Sequence, residues 1–338
     1  MPIADNSQAK RYLKPIHLKG GGVLPNGVLP APMEGVLSPA FCHALMQESQ
    51  VGAWITPFIR ISVSVPRRTR LIKAIDYFLE TKLPLIVQLM GRDPDRLCET
   101  AKRFAEVEAV KGINFNFACP SKTVLSSGAG GALLSEPKLM EKIVQKSQQA
   151  LPHLSISAKI RTGRSHAHEM EEIIPRLCAA GLDLLMIHHR TVNEEYQPCS
   201  QRKERLIKAC ALSAPLPVLL SGDIFNYSDV LECASIPYST GLMAARGLIK
   251  NPFIISNIIE SLNQGCEINS SDREKINFFA TMLSFCLKDP QKYWSHRYYL
   301  EMCRRIFGQE HPIYDDLMSI IIKSRSPKIV MSFLEQKL

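Results

Sequence analysis

The sequence predicts an α/β fold in which a (β/α)8 barrel is followed by a small C-terminal all-helical domain. From about residue 27, short apolar runs alternate with longer amphipathic segments, a pattern typical of parallel strands joined by helices. Eight strand-like runs occur before the pattern changes, and eight strand–helix units predict a closed TIM barrel. Residues 273–338 contain no convincing strand but several stretches with helical spacing of apolar residues, which predict a helical bundle.

The predicted strands are short, and most of them precede a segment with helical periodicity. They are 28–33, 53–58, 85–89, 113–117, 155–160, 184–187, 218–220 and 241–244. Two of the intervening helices have clear start signals, because Asp93 precedes Pro94 and Glu136 precedes Pro137. We expect these helices in the outer ring of the barrel.

The chain is expected to divide into three parts. Residues 1–26 are polar and basic and are predicted to be an N-terminal extension, either a tail or a start-codon artefact, whose deletion leaves activity unchanged. Residues 27–262 are predicted to form the barrel, and a polar linker follows. Ser271 and Asp272 provide a helix start for a helical domain over 271–338, which Pro290, Pro312 and Pro327 interrupt.

Composition limits the classes of function. Lysine and arginine (41) exceed aspartate and glutamate (32), which gives a net charge of +9 and favours a polyanionic partner, although a merely soluble basic protein is an equally good interpretation of charge alone. The ten cysteines form no C-x-x-C pair, so we expect a reducing compartment and no metal site. We find neither an apolar run long enough for a membrane span nor a signal peptide, and therefore expect a cytoplasmic protein without a membrane partner.

Polar residues follow five consecutive predicted strands, from the third to the seventh. They are Gln88, Asn116, Cys119, Lys159, Arg161, His188, Gly222 and Asp223. Because barrel active sites lie at the carboxyl ends of the strands, these positions predict an active site.

Cys119 lies in the most specific of these segments. It follows a strand end, precedes Pro120 and leads into a turn containing Gly128, Gly130 and Gly131. A lone cysteine is usually a small buried hydrophobic residue, but this context favours a functional loop.

At this point the sequence resembles the tRNA-dihydrouridine synthases, whose hallmark is an N-x-x-C-P loop followed by a G-x-G-x-A-L-L run. The matching segments keep their order and spacing over about residues 28–255: Ala31 to Val36, Val87 to Leu89, Asn116 to Val124, Gly128 to Leu134, Lys159 to Arg161, His188 to Thr191, Gly222 to Ile224, and Arg246 with Gly247. Met33 to Leu37, Cys119 to Val124, and Thr56, Phe58 and Arg60 are most similar to the bacterial C-type subfamily. That resemblance implies uridine 16 of the tRNA D-loop as the substrate.

The resemblance also implies site residues and cofactors. It implies FMN as the bound cofactor, NADPH or NADH as the reductant, and no obligate protein partner. Contacts to FMN would come from Pro32, Met33, Glu34, Gln88, Lys159, His188, Ser221, Gly222, Asp223, Ala245 and Arg246. Asn116 would bind the uracil, and Arg60 would touch RNA. Independently of the resemblance, the positive charges of Arg161, Arg297 and Arg304 make them candidate contacts to the substrate tRNA.

The implied chemistry accounts for the cysteine. Reduction of the uracil C5–C6 bond needs a hydride at C6 and a proton at C5, so an acid must lie across the flipped base from the flavin. An ordinary thiol is mostly protonated at neutral pH, and Cys119 would therefore be the general acid.

An aromatic and basic cluster in the helical domain is a second candidate surface for RNA. It comprises Tyr293, Trp294, His296, Arg297, Tyr298, Tyr299, Arg304 and Arg305. These side chains could stack on bases and pair with phosphates. The alternative is an amphipathic helix with a solvated basic face.

Six positions depart from the family pattern near the implied flavin site. They are Pro57, Asn114, Ala118, His189, Ser221 and Ala245. Added methyl groups at Ala118 and Ala245 would matter if the backbone there needed positive φ. Two alternative functions therefore stay open: a weakened or inactive tRNA-binding homologue, and a flavin barrel that acts on a free pyrimidine.

Overall fold

The computed structural model describes residues 5–338. The strands are β1 Ile16–His17, β2 Val23–Leu24, β3 Val28–Pro30, β4 Trp54–Ile55, β5 Ile59–Ile61, β6 Leu85–Gly91, β7 Val110–Phe117, β8 Ser155–Arg161, β9 Leu184–His188, β10 Val218–Ser221 and β11 Ser239–Ala244. The α-helices are α1 Asn6–Ala9, α2 Pro39–Glu48, α3 Arg68–Glu80, α4 Pro94–Ala105, α5 Lys122–Leu125, α6 Pro137–Ala150, α7 Met170–Ala179, α8 Arg202–Ser213, α9 Tyr227–Ala234, α10 Arg246–Lys250, α11 Ile254–Gln264, α12 Asp272–Lys288, α13 Pro290–Tyr293, α14 His296–Ile306, α15 Tyr314–Ser324 and α16 Pro327–Glu335. Four short 3-10 helices cover Lys10–Leu13, Lys19–Gly21, Gly130–Ser135 and Ala167–Glu169.

The chain forms two compact units. The first comprises Met1–Pro32, Gly52–Gly222 and Ser228–Met243, and the second comprises Met33–Val51, Asp223–Tyr227 and Ala244–Leu338. The predicted domain limits, 27–262 for the barrel and 271–338 for the helical domain, stay a prediction.

Eight strands form the predicted barrel. They follow one another in the order β3, β11, β10, β9, β8, β7, β6 and β4, and β5 pairs with β6 beside β4. The strands at the two ends of this order, β3 and β4, contact each other, so the sheet curls round on itself. Every predicted strand overlaps an observed one, which confirms the (β/α)8 fold with a helical C-terminal region.

Local sequence signals fix where the helices begin. The Asp93 side chain accepts hydrogen bonds from the N–H groups of Asp95 and Arg96, and Pro94 occupies the first turn of α4. Ser271 begins α12 with a reciprocal capping box, in which its side chain and that of Glu274 each bind the other's backbone N–H. Both starts confirm the sequence predictions.

The described part of the N-terminal segment, residues 5–26, is folded, although the sequence predicts a tail or a start-codon artefact. Residues Lys10–Leu13 form a 3-10 helix in which Tyr12 is fully buried, and its hydroxyl lies 2.8 Å from Oγ of Ser239. Arg11 donates to the carbonyls of Ile236 and Ser239 at 2.9 and 2.8 Å. The segment therefore contacts the beginning of β11, a tertiary arrangement for which the sequence contains no local signal.

Residues 271–338 are helical, as predicted, and they form part of the second unit. Its core includes α2 packed on α12, where the rings of Phe41 and Phe278 meet edge to face with centroids 5.3 Å apart. In α14, Tyr299 is fully buried and meets Phe279 in the same manner at 6.0 Å. No helix within residues 5–338 is both long enough and apolar enough to span a membrane.

Candidate active site

The parallel register of the barrel brings the polar strand ends together. Asn116 of β7 lies opposite Lys159 of β8, and Arg161 of β8 lies opposite His188 of β9. His188 in turn lies opposite Ser221 of β10. The strand-end residues that belong to the first unit are therefore neighbours, as the sequence predicts.

The loop after β7 holds Cys119 through its backbone. Oδ1 of Asn116 accepts hydrogen bonds from the N–H groups of Ala118 and Cys119 at 3.1 and 3.0 Å. Nε of Arg161 donates to the Ala118 carbonyl at 3.1 Å, and the Cys119 carbonyl accepts from the N–H of Gly131 at 3.0 Å. The thiol is half-buried, and four hydrogen bonds fix the backbone that carries it.

Gly131 explains the glycine-rich run that follows the cysteine. A Cβ atom at this position would lie 2.9 Å from the Cys119 carbonyl oxygen and 2.6 Å from Cγ2 of Val192. Any larger residue would therefore push the turn away from the Cys119 loop. The predicted functional loop is a tightly packed one.

His188 is a neutral hydrogen-bond donor. Its Nδ1 accepts the backbone N–H of Arg190 at 3.2 Å, so the proton of the neutral ring lies on Nε2. Burial, followed by the charges of Arg161 and Lys159, lowers the pKa of His188 well below its ordinary value. A Cβ atom on Gly222 would lie 2.9 Å from this Nε2 and 2.7 Å from the His189 ring, so only glycine fits against the two imidazoles at the end of β10.

Lys159 brings a titratable cation to the strand ends. Its side chain is half-buried, and burial, together with the neighbouring charge of Arg161, lowers the pKa of its ammonium group to about 8. A bound anion would reverse that effect, because opposite charge favours the protonated form. The position suits a cofactor that carries or gains negative charge.

Arg161 acts on the loops around the site. Its guanidinium group is only 3% exposed and donates from Nη1 to the carbonyls of Thr191 and Glu195 at 2.8 and 2.9 Å, besides its bond to Ala118. The ring of Tyr196, which is 54% exposed, lies 5.5 Å from the guanidinium carbon. The predicted contact of Arg161 with RNA stays a prediction.

An ion pair between Glu194, in the loop after β9, and Arg205 of α8 was missed by the sequence analysis. Glu194 accepts hydrogen bonds from Nη1 and Nη2 of Arg205 at 2.7 and 2.9 Å and from the N–H of Thr191 at 2.7 Å. The Arg205 bond is the main reason why the pKa of Glu194 falls to about 2. A single acid and a distant arginine form no recognisable pattern in a sequence, so no signal could have found the pair.

The remaining predicted residues of the first unit differ in exposure. Arg60 is exposed, Pro32 is half-buried, and Gln88 and Ser221 are buried. Ala118 is buried, and it is not among the described residues with positive φ. The alanine that departs from the family pattern therefore fits its backbone without strain.

The second unit contains the predicted residues that follow the barrel's last two strands. Arg246 forms an ion pair with Asp223, and its guanidinium carbon lies 5.7 Å from the Phe225 ring. Ala245 has φ of −110°, so it does not lie in the positive-φ region that favours glycine. Met33 is half-buried and Glu34 is exposed.

Basic side chains line two cavities of the second unit. One, of about 550 Å³, is lined by Arg246, Lys250, Lys275, Arg304 and Arg305, together with the acidic residue Glu310 and apolar side chains. The other, of about 610 Å³, is lined by Arg297, Arg304 and Arg305 with three further residues of α14. Both predicted RNA contacts of this unit, Arg297 and Arg304, are exposed.

The aromatic members of the predicted aromatic and basic cluster contact other side chains or backbone of the second unit, and one of them, Tyr299, lies in its core. Tyr299 is fully buried and stacks on Trp294 with centroids 4.6 Å apart, while Tyr298 donates to the Val36 carbonyl at 2.8 Å. Tyr293 packs against Phe285 at 4.8 Å. The expectation of base stacking is therefore wrong for Tyr299, and α14 is an amphipathic helix with a basic outer face.

Comparison with known proteins identifies related chains. Residues 29–307 match the family model described as dihydrouridine synthase. A tRNA-dihydrouridine(16) synthase of Vibrio cholerae is 33% identical over 67% of this chain and 71% of its own length, and one of Escherichia coli O157:H7 is 31% identical over 67% and 72%. Among solved structures, a 2-naphthoyl-CoA reductase complex shares the fold with a TM-score of 0.55 at 13% identity, over 75% of this chain and about half (52%) of its own.

Proposed function

We propose that this chain, which belongs to the dihydrouridine synthase family, reduces uridine 16 in the D-loop of tRNA to 5,6-dihydrouridine. The family match over residues 29–307 confirms the resemblance recognised in the motifs. The observation that carries the proposal is the Cys119 loop, which Asn116 and Arg161 hold at the carboxyl ends of the barrel strands.

The residues at the strand ends fit FMN as the cofactor. Lys159 and the neutral His188 can donate hydrogen bonds to its ring. Gly222 allows the His188 and His189 imidazoles to lie against the end of β10. The contact of Arg246, which belongs to the second unit, with the flavin phosphate stays a prediction. When bound, the flavin would supply hydride to C6 of the uracil, and NADPH or NADH would be the reductant that restores it.

The chain's own residues would supply the proton and orient the base. The Cys119 thiol would donate its proton to C5, and the fixed backbone of its loop would keep the sulfur in place. Oδ1 of Asn116 already accepts two N–H groups, which is its full capacity, so only an amide N–H remains for the substrate. That N–H would donate to a uracil carbonyl and would meet the amino group of cytosine unfavourably.

The relatives are tRNA-modifying enzymes, which supports tRNA as the substrate, and the positive net charge of this chain agrees with it. The net charge of +9 favours a polyanion, and Arg60, Arg297 and Arg304 present exposed cations. The relatives from Vibrio cholerae and Escherichia coli O157:H7 are named for position 16 of tRNA. We further propose that the reaction takes place in the cytoplasm, where these substrates lie.

The proposal is tested by nucleoside mass spectrometry with position mapping, in tRNA from cells that carry or lack the gene. We expect dihydrouridine to disappear at position 16 alone. Loss at another position would keep the enzyme and correct its site, whereas unchanged tRNA in cells without a redundant synthase would overturn the proposed activity.

Replacement of the cysteine tests the mechanism. Cys119→Ala should lower kcat by about a hundredfold or more, because general-acid catalysis typically contributes 10²- to 10⁴-fold, and tRNA affinity should stay within twofold. Cys42→Ala, at a fully buried cysteine of α2, is the control and should leave turnover largely intact in folded protein. Equal turnover of wild type and Cys119→Ala would exclude the thiol as the acid.

A further inference from the structure

A chain of hydrogen bonds crosses the barrel interior from the loop after β7 to strand β8. Nδ2 of Asn116 donates to Oε1 of Gln88 at 2.9 Å, and Nε2 of Gln88 donates to Oδ1 of Asn114 at 2.8 Å. Nδ2 of Asn114 donates to Oγ of Ser157 at 2.9 Å, and that hydroxyl donates to the Ile113 carbonyl at 3.1 Å. Gln88 and Asn114 are fully buried, and Ser157 is 1% exposed.

Both ends of the chain fix its direction. The backbone N–H groups of Ala118 and Cys119 can only donate, so the atom of Asn116 that they meet must be its oxygen. The Ile113 carbonyl can only accept, so the Ser157 hydroxyl must donate to it and accept from the preceding amide. Each amide between these ends therefore has a single orientation.

Loss of one of these hydrogen bonds would disturb the whole hydrogen-bond series. A buried amide that loses its partner carries the full cost of desolvation, and its neighbours can recover a partner only by rotating. Asn116 is the last member before the loop, and its rotation would release the N–H groups of Ala118 and Cys119. Residues at the far end can thus act on the loop without touching a substrate.

We propose that Asn114 and Ser157 are positioning residues that hold Asn116, and through it the Cys119 loop, in the geometry of the reaction. The inference rests on the proposed function, since it assigns residues to that reaction. It also gives a role to a departure from the family pattern, in which aspartate occupies position 114. Asparagine retains the acceptor that Gln88 requires and adds a donor for Ser157 without placing a charge in the core.

Substitutions at position 114 separate the hydrogen bonds from the packing. Leucine has a shape similar to that of asparagine but offers no acceptor, whereas aspartate accepts from Gln88 in either protonation state. We expect Asn114→Leu to lower kcat by about ten- to a hundredfold, because small misplacements of reacting groups have effects of that order. Asn114→Asp should stay within about fivefold of wild type, and the KM for tRNA should change less than about threefold in both.

Two buried serines of β8 provide the matched pair. Ser157 is a member of the hydrogen-bond series. Ser155 is also 1% exposed, but its hydroxyl has no hydrogen-bond partner among the described residues. Ser157→Ala should lower kcat by roughly fivefold, and Ser155→Ala should leave it within about twofold. Equal losses in the two variants would overturn the positioning role.

Alkylation of the thiol tests the same idea without turnover. Iodoacetamide modification of Cys119, followed by peptide mass spectrometry on the purified full-length protein without tRNA, should change in rate by about threefold or more in Asn114→Leu and in Ser157→Ala. Asn114→Asp and Ser155→Ala should retain the wild-type rate. If folded Asn114→Leu is alkylated and turns over at the wild-type rates, the inference is overturned. If the wild-type protein reduces no tRNA, the proposed function is overturned, but the alkylation test stays valid.

Discussion

At the scale of single residues, the fold lowers the pKa of Lys159, and this shift has a measurable consequence for stability. Burial, followed by the charge of Arg161, lowers the pKa of its ammonium group from 10.5 to about 8. Between these two values the unfolded chain binds more protons than the folded chain, so the stability of the fold should rise with pH over that interval. Below pH 8 the full cost of the buried charge is present.

Substitution of this lysine should make that cost visible. We expect Lys159→Met to be more stable than wild type at pH 7 in protein without added flavin, and the difference should shrink as pH rises from 8 towards 10.5. Urea midpoints measured at several pH values provide the comparison. Lys142→Met, at an exposed lysine of α6, should show no such trend, and a pH-independent advantage of Lys159→Met would contradict the assigned pKa.

At the scale of elements, the N-terminal segment is part of the barrel's packing. Tyr12 is fully buried and bound to Ser239 at the start of β11, and Leu24 is likewise fully buried. A segment of this kind contributes to stability although it lies outside the residues that match the family model. That deletion of residues 1–26 leaves activity unchanged stays a prediction, whereas the burial of Tyr12 and Leu24 leads us to expect a loss of stability.

Graded substitutions at Tyr12 should measure this contribution. Tyr12→Ala should lower the free energy of unfolding by about 3–5 kcal/mol, as for other large aromatic residues that are truncated in cores. Tyr12→Phe removes only the hydroxyl group and should cost roughly 1 kcal/mol. Urea unfolding followed by circular dichroism provides both values, and a deletion of residues 1–26 that unfolds at the wild-type urea concentration would show that the segment is dispensable.

At the scale of the whole molecule, positive charge is the property that bears on RNA. The net charge of +9 predicts that the dissociation constant for tRNA rises steeply with salt, by about tenfold or more between 50 and 200 mM. Binding measured across this range, by filter retention or fluorescence anisotropy, checks the expectation. Affinity that is insensitive to salt would mean that phosphate contacts contribute little.

Substitutions at two arginines test which part of the surface contacts tRNA. Arg304 is exposed on α14, and its ion pair with Glu301 is long, at 3.9 Å. Arg304→Gln should weaken tRNA binding and reduce the slope of log affinity against log salt by about one. The control is Arg176→Gln, because Arg176 is bound to both Glu141 and Glu172 at 2.9 Å, and it should leave the slope unchanged. Identical slopes for the two variants would remove Arg304 from the RNA surface.

The sequence by itself determined the elements and the position of the reactive loop. Alternating apolar runs located all eight barrel strands, and Asp93 and Ser271 marked helix starts that the structure reproduces. Cys119 could be found because a strand end, a proline and a glycine-rich turn occur within a few residues of each other. Periodicity, caps and turns are local properties, so they can be recognised without knowledge of distant contacts.

Only the tertiary structure decided which partners these residues have. It turned Tyr299 into the core, directed Arg161 to backbone carbonyls, and packed Tyr12 against β11. It also joined Asn116 to Ser157 through two buried amides contributed by separate strands. A polar or aromatic side chain has the same local sequence whether it faces solvent or core, because the choice depends on packing and hydrogen-bond satisfaction between segments far apart in the chain.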